Sequence, residues 1–139
     1  MNKLIILAGL PGSGKTTFAE SIVQSSRHWV RVNRDTLREM VGCGRPWDLM
    51  DEAIVSDYRD VCIISALMKG RSVIVDDTNL KTWTRTHIAD LAEVLGIRWE
   101  IHWFDTPVEE CIRRDALRGP RSIGRENILA MAKGMERED

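Results

Sequence analysis

Long apolar runs are missing from this chain. No stretch approaches the roughly 18 to 20 residues of a membrane-spanning helix, and the N-terminus opens directly into a strand-like segment rather than a signal peptide. Cysteine is scarce: Cys43, Cys62 and Cys111 are odd in number and lack the C-x-x-C spacing of a metal or redox site, so they read as reduced thiols of a soluble cytoplasmic protein. His28, His87 and His102 are scattered without ligand spacing, which argues against a histidine metal centre. Twenty basic residues are balanced by 21 acidic ones, and a net charge of −1 excludes a strongly basic nucleic-acid coat while leaving room for a local arginine cluster. Repeats, low-complexity tracts and linkers are absent, and 139 residues with 43% hydrophobic content suit one compact domain spanning 1–139.

What is present begins at residue 9. Gly9-Leu10-Pro11-Gly12-Ser13-Gly14-Lys15-Thr16 follows the apolar run Leu4-Ile5-Ile6-Leu7-Ala8 and fits G-x-x-x-x-G-K-[ST]. Glycines at these points let backbone N–H groups fold inward around phosphates, with a helix N-terminus aimed at them. The nucleotide-binding set is therefore Gly12, Ser13, Gly14, Lys15, Thr16 and Thr17, with Lys15 reaching the β and γ phosphates of ATP or another NTP and Thr16 ligating Mg²⁺.

Alternating strand and helix patterns predict an α/β fold with three α/β/α layers. Strands are expected at about Lys3 to Ala8, Trp29 to Val32, Ser72 to Val75 and Arg98 to Phe104. Helices are expected after the loop, where Phe18, Ala19, Ile22 and Val23 share a face, and near Thr36 to Val41, Asp48 to Lys69, Thr82 to Leu95 and Arg125 to Met135. Thr106-Pro107-Val108-Glu109 reads as a capping box opening a further helix that stops at Gly119-Pro120. The first and third strands are continuously apolar and belong in the middle of a parallel sheet, whereas the second and fourth alternate and belong at its edges. The resulting order is 2-3-1-4, as in small nucleotide kinases.

Arg113, Arg114, Arg118, Arg121 and Arg125 form the densest positive stretch, late in the chain where such kinases carry a lid, at about 113–125. Arg114 and Arg118, four apart, would share a helix face and converge on a polyphosphate, Arg118 serving the transition state; a solvated charged face is the alternative. Asn33-Arg34-Asp35 follows the second strand. If Thr36 caps the next helix with Glu39, Asp35 stands just outside with a free carboxylate suited to a general base; otherwise Asp35 is itself the cap. Arg38 would lie beside it and bind an acceptor phosphate, Asp76 would orient the Mg²⁺ shell, and Asp77, Thr78 and Asn79 would face the acceptor. Trp99, Ile101 and Trp103 share one strand face and read as core, while Trp47 and Trp83 lie in connections where they could stack on a nucleobase or simply pack. Met131 and Met135 are expected to pack the last helix.

Taken together, Gly-Leu-Pro-Gly-Ser-Gly-Lys-Thr-Thr, Val-Asn-Arg-Asp-x-x-Arg, Asp-Thr-Asn-Leu, Phe-Asp-x-Pro and Arg-x-x-x-Arg-Gly resemble the 5′-kinase domain of phage polynucleotide kinases of the T4 type, over nearly the whole chain. The resemblance implies ATP-dependent, Mg²⁺-assisted phosphorylation of the 5′-OH end of DNA or RNA. Lys15 and Thr16 would engage the donor and Mg²⁺, Asp35 would be the base, and Arg38 with Asp77 and Thr78 the acceptor site. Arg118 and Arg114 would be lid arginines. Thr36 departs from a family that often has a second acidic residue there, and no 3′-phosphatase chemistry is expected of these residues. A kinase of a small metabolite or nucleoside, and an ATP-dependent binding module, are the other readings; no guanine-reading Asn-Lys-x-Asp is present.

Overall fold

The computed structural model describes residues 1–138. Four parallel strands, β1 (Lys3–Ala8), β2 (Trp29–Val32), β3 (Ser72–Val75) and β4 (Arg98–Trp103), form one sheet in the order β2-β3-β1-β4, as the apolar patterning predicts. The central pairing sets Leu4, Ile5 and Ile6 against Val73, Ile74 and Val75, and β4 flanks β1 with Ile101 opposite Ile6. Every residue of β3 is buried, whereas β4 is exposed or half-buried along its length. A strand covered on both faces must be apolar at every position, while an edge strand tolerates alternation.

Helices α1 (Lys15–Ser25), α2 (Arg34–Gly42), α3 (Leu49–Met68), α4 (Thr82–Val94), α5 (Val108–Ala116) and α6 (Arg125–Lys133) connect and cover the strands. Leu4, Ile6, Val73 and Val75 pack with Val55, Ile63 and Leu67 of α3 and Ile88 and Ala92 of α4 in the largest core cluster. On the opposite face Ile5, Leu7 and Ile74 meet Ala19, with Phe18, Ile22 and Val23 half-buried against them, so the predicted apolar stripe of α1 is the one that docks. Each such aliphatic side chain stabilises the fold by about 1.5–3 kcal/mol on burial. Met131 and Met135 pack beside Ile128 in a third cluster with Leu10 and Ile112. Among the described residues no helix is long and apolar enough to cross a membrane. The three cysteines are free, Cys111 buried and the other two exposed.

Three local expectations need correction. Helix α2 starts at Arg34, not Thr36, because Asn33 is its cap: Asn33 Oδ1 accepts from Thr36 N at 2.9 Å. Asp35 is therefore inside the first turn. Helix α5 has no capping box: Pro107 precedes it, and Thr106 Oγ1 instead donates to the Ser13 carbonyl at 2.8 Å, tying the helix entry to the glycine-rich loop. Trp99 is 38% exposed with its indole N–H on Glu93, whereas Ile101 and Trp103 of that strand face pack half-buried against core clusters, Trp103 also lying under the guanidinium groups of Arg85 and Arg137.

Asn79, expected to face the acceptor, lines the large cleft and is also a structural staple. It sits at φ 45°, a left-handed conformation that asparagine tolerates, and its buried Nδ2 donates to the Leu7 carbonyl at 2.7 Å. Its own carbonyl accepts from the buried Arg85, which also holds the Glu136 carbonyl and so straps the C-terminal segment to α4. Asn79→Ala loses a buried hydrogen bond and the favoured conformation together, and is expected to cost about 2–4 kcal/mol. A urea midpoint unchanged from wild type would contradict the staple.

Candidate active site

The glycine-rich loop leaves β1 and enters α1 through two left-handed glycines, Gly12 at φ 80° and Gly14 at φ 104°, the latter being the helix cap. A Cβ on Gly12 would lie 2.6 Å from the Cys111 carbonyl of α5, so only glycine lets the loop and that helix approach so closely. The loop is also held by the Gly9 N–H on the Thr78 carbonyl at 3.0 Å and by Arg114 Nη1 on the Gly12 carbonyl at 3.3 Å. Its backbone and the α1 N-terminus together present donors and a positive dipole end, an arrangement made for an anion.

Lys15 is buried within the loop, donating from Nζ to the carbonyls of Gly9 (2.9 Å) and Leu10 (2.7 Å) and to Ser13 Oγ (3.2 Å). Burial lowers its ammonium to about 8, partly countered by the Asp76 carboxylate. An incoming phosphate supplies the full opposing charge that three neutral oxygens do not. Gly12, Gly14, Lys15, Thr16, Thr17, Arg114 and Arg118 line one cavity of about 320 Å³. Helix α5 ends at Ala116, so Arg114 and Arg118 do not share a helix face as expected, yet both reach this cavity. Arg113 is paired with Glu110 and Arg125 with Glu109, away from it.

The segment after Arg118 turns back on Asp115, which is buried and accepts from Ser122 Oγ (2.7 Å), Ile123 N (3.2 Å) and Gly124 N (3.0 Å). Burial alone would raise this carboxyl; the three hydrogen bonds outweigh it and hold it low. One side chain thus closes the loop between α5 and α6, a role with no sequence signal beyond an acidic residue among arginines.

A second, larger cleft of about 820 Å³ opens between α2 and α3 on one side and α4 and α6 on the other, with Asp77, Thr78 and Leu80 along its floor. Arg34 and Arg38 of α2 line it, held there by Glu52 of α3. Glu52 accepts from Arg38 Nε (3.2 Å) and Nη2 (2.9 Å), from Arg34 Nη2, and from the Trp47 indole at 3.1 Å. The Arg38 hydrogen bonds hold the Glu52 carboxyl at about 2, with Arg34 adding to them against the cost of partial burial. Trp47 is thereby committed to Glu52. Glu52 lies 14 residues beyond Arg38 in sequence and could not be picked out from spacing.

Asp35 is not the free carboxylate expected from its position: Arg38 Nη1 donates to it at 2.7 Å, although the side chain remains 84% exposed. Asp76 is buried and receives Arg31 Nε at 2.7 Å. Asp77 Oδ1 accepts from the Arg34 N–H at 2.8 Å, while Oδ2 is shut from solvent without a partner. Burial pushes this carboxyl up to about 7, with the Arg34 N–H opposing and Asp76 and Asp35 reinforcing the rise. Among the described residues there is no cluster of three or more acidic, histidine or cysteine side chains able to hold a metal. Thr16 Oγ, exposed in the small cavity, is a hard oxygen suited to a magnesium ion that shares its shell with nucleotide phosphates.

A family model described as AAA domain matches residues 4–137. The chain is 28% identical over 122 residues to an L-seryl-tRNA(Sec) kinase of Methanococcus maripaludis, covering 85% of this chain and 47% of that protein. It is 31% identical over 95 residues to a bifunctional polynucleotide phosphatase/kinase of Schizosaccharomyces pombe, covering 68% of this chain and 19% of that one. A chain in the structure of a Pnkp1/Rnl/Hen1 RNA repair complex superposes with a TM-score of 0.84 at 29% identity, over 96% of this chain and 43% of its own length. The chain thus spans about half or less of the length of these three relatives.

Asp77 makes the pH response testable. Its carboxyl titrates near 3.8 when unfolded and about 7 when folded, so between these values the folded protein holds more protons and this group lowers stability as pH rises. Asp77→Asn removes the titration. The variant's melting temperature is expected to gain on wild type steadily from pH 4.5 to 7.5 and level off above; a gap that narrows with pH would refute the assignment.

Proposed function

The chain belongs to the AAA-domain family whose model spans residues 4–137, and from that premise we propose that this P-loop kinase is a polynucleotide 5′-hydroxyl kinase, of the kind its sequence resembles in T4-type phages. The observation that carries the reading is the pair of separate cavities: a small cationic one around the glycine-rich loop, and a large cleft whose floor is Asp77-Thr78 and whose wall holds Arg34 and Arg38. A two-substrate phosphoryl transfer needs such a pair, and a cleft of about 820 Å³ accommodates more than a small metabolite. Likeness to a polynucleotide phosphatase/kinase and to a chain of an RNA repair complex supports the same class.

In this reading the loop N–H groups and Lys15 bind the β and γ phosphates of ATP, with Arg114 and Arg118 closing over them. A magnesium ion arriving with the nucleotide would be held by Thr16 Oγ and phosphate oxygens, neutralising charge there; Asp76, paired with Arg31, would support the charge of Lys15. The acceptor phosphate takes a guanidinium edge of Arg38 and frees Asp35 from its present ion pair. Asp77 and Thr78 hold the 5′-hydroxyl. Its proton passes to Asp35, its oxygen bonds to the γ-phosphorus as the bond to the β–γ bridging oxygen breaks, and the nucleoside diphosphate leaves. Most of the acceleration comes from positioning and from cations around the transferring group.

The test is transfer of label from γ-labelled ATP to a 5′-hydroxyl oligonucleotide, beside the same oligonucleotide already 5′-phosphorylated. Only the hydroxyl end should be labelled. ATP turnover without labelled nucleic acid would move the function to a small-molecule acceptor. Asp35→Ala should cut transfer about 10²–10⁴-fold while ATP binding persists. Lys15→Ala and Arg118→Ala should instead damage use of the donor; a Arg118→Ala effect confined to the acceptor would remove that arginine from the lid.

A further inference from the structure

Five tryptophans distribute unevenly over the surface, and four are spoken for. Trp29 packs half-buried against the core beside Ile5 and Ile74, Trp47 and Trp99 donate to Glu52 and Glu93, and Trp103 lies under Arg85 and Arg137. Trp83 differs. It stands in the first turn of α4, 71% exposed, with no hydrogen bond from its indole among the described residues, and it lines the large cleft. So large an apolar surface left in water has no folding benefit.

Its surroundings supply the two halves of a recognition site. Leu80, Ile123 and Met131 make the neighbouring walls apolar, as suits a flat ring inserted beside an indole. Across the cleft α3 presents Arg59, which is only 5% exposed and donates from Nε to Asp60 at 3.0 Å, while neither of its Nη groups is hydrogen-bonded among the described residues. These Nη donors are open to the cleft rather than sealed, and a guanidinium held in place by packing with its edge presented in this way suits a phosphate. An apolar shelf facing cationic side chains matches a strand that alternates flat bases with phosphates, and stacking on an indole is open to every base.

We propose that Trp83 is the shelf on which the 5′-terminal nucleobase of a single-stranded acceptor stacks, making this cleft selective for an unpaired end without selecting its sequence. The proposal rests on the polynucleotide kinase reading and adds the subsite that reads the acceptor beyond its hydroxyl. A base stacked on Trp83 leaves its own strand, so a blunt duplex end must open to enter, whereas a 5′ overhang need not.

The experiment measures acceptor KM at saturating ATP for two single-stranded oligonucleotides that differ only in an abasic residue at the 5′ end. Wild type should show a KM roughly tenfold higher for the abasic acceptor, the order expected for one lost stack. Trp83→Ala should raise KM roughly tenfold for the base-bearing acceptor, leave the abasic one and the ATP KM unchanged, and so abolish the difference; Trp83→Phe should largely restore it. Equal wild-type KM values for the two acceptors, or a Trp83→Ala loss that is the same on both, would overturn the shelf while leaving the kinase reading intact. Wild type that labels neither acceptor would remove the kinase reading itself, and the shelf with it.

Discussion

The carboxyl ends of β2 and β3 are sewn together by two short polar contacts, and the large cleft depends on them. Asn33 Nδ2 donates to the Asp76 carbonyl at 2.6 Å, and the Arg34 N–H donates to Asp77 Oδ1 at 2.8 Å. Because Asn33 is also the cap of α2, the same side chain that ties the two strands decides where that helix begins and which way it points. Arg34, Asp35 and Arg38 follow in the first turns of that helix, so their positions relative to β3 are set by two short side chains, each bonded to backbone of the other segment. Glu52 then takes the two guanidinium groups from the α3 side, fixing two long cations that would otherwise lose considerable rotamer freedom on binding a ligand.

A comparable tension governs the small cavity. Burying the Lys15 ammonium lowers its proton affinity, and the carbonyl oxygens around it and the opposing charge of Asp76, with a smaller share from Asp77, only partly make this good. The loop is folded around a cation that its own atoms underserve, which is the electrostatic condition for a strong phosphate site. Gly12 lets α5 sit on the loop at a distance no side chain permits, and through that contact Arg114 reaches the same cavity. Loop and arginine segment are one packed unit, with Asp115 closing the far side by gathering Ser122, Ile123 and Gly124.

How much of this could be read from residues alone depends on the range of the interaction. Strand order was legible because burial on both faces forces continuous apolarity on Leu4 to Ala8 and Val73 to Val75, and the edges reveal themselves by alternation. The glycine-rich loop was legible because its conformation needs glycine at fixed offsets. Caps were not, since Asn33, Thr36 and Thr106 are each competent caps and the choice among them is made by tertiary partners, the Asp76 carbonyl for Asn33 and the Ser13 carbonyl for Thr106. Glu52 and Asp115 left no local trace at all: each acts on groups presented by another element or another turn of chain, and an acidic residue on a helix looks the same whether it faces water or a partner from elsewhere.

Asp77 lines the large cleft, whereas its neighbour Asp76 lines neither cavity and is buried against Arg31. Asp76 turns inward to Arg31 and supports Lys15, remaining on the side of the donor loop. Asp77 turns the other way, its Oδ1 on α2 and its Oδ2 sealed without a partner. Burial does most to drive Asp77 toward its neutral acid, with the Asp76 charge adding to it, while Asp76 itself is paired with the Arg31 guanidinium. A carboxyl poised near neutrality can donate as well as accept, which an ionised neighbour of Asp35 could not do. The dipeptide that follows β3 thus supplies an ion-paired carboxylate to the interior and a carboxyl of raised proton affinity to the cleft, with no further element between them.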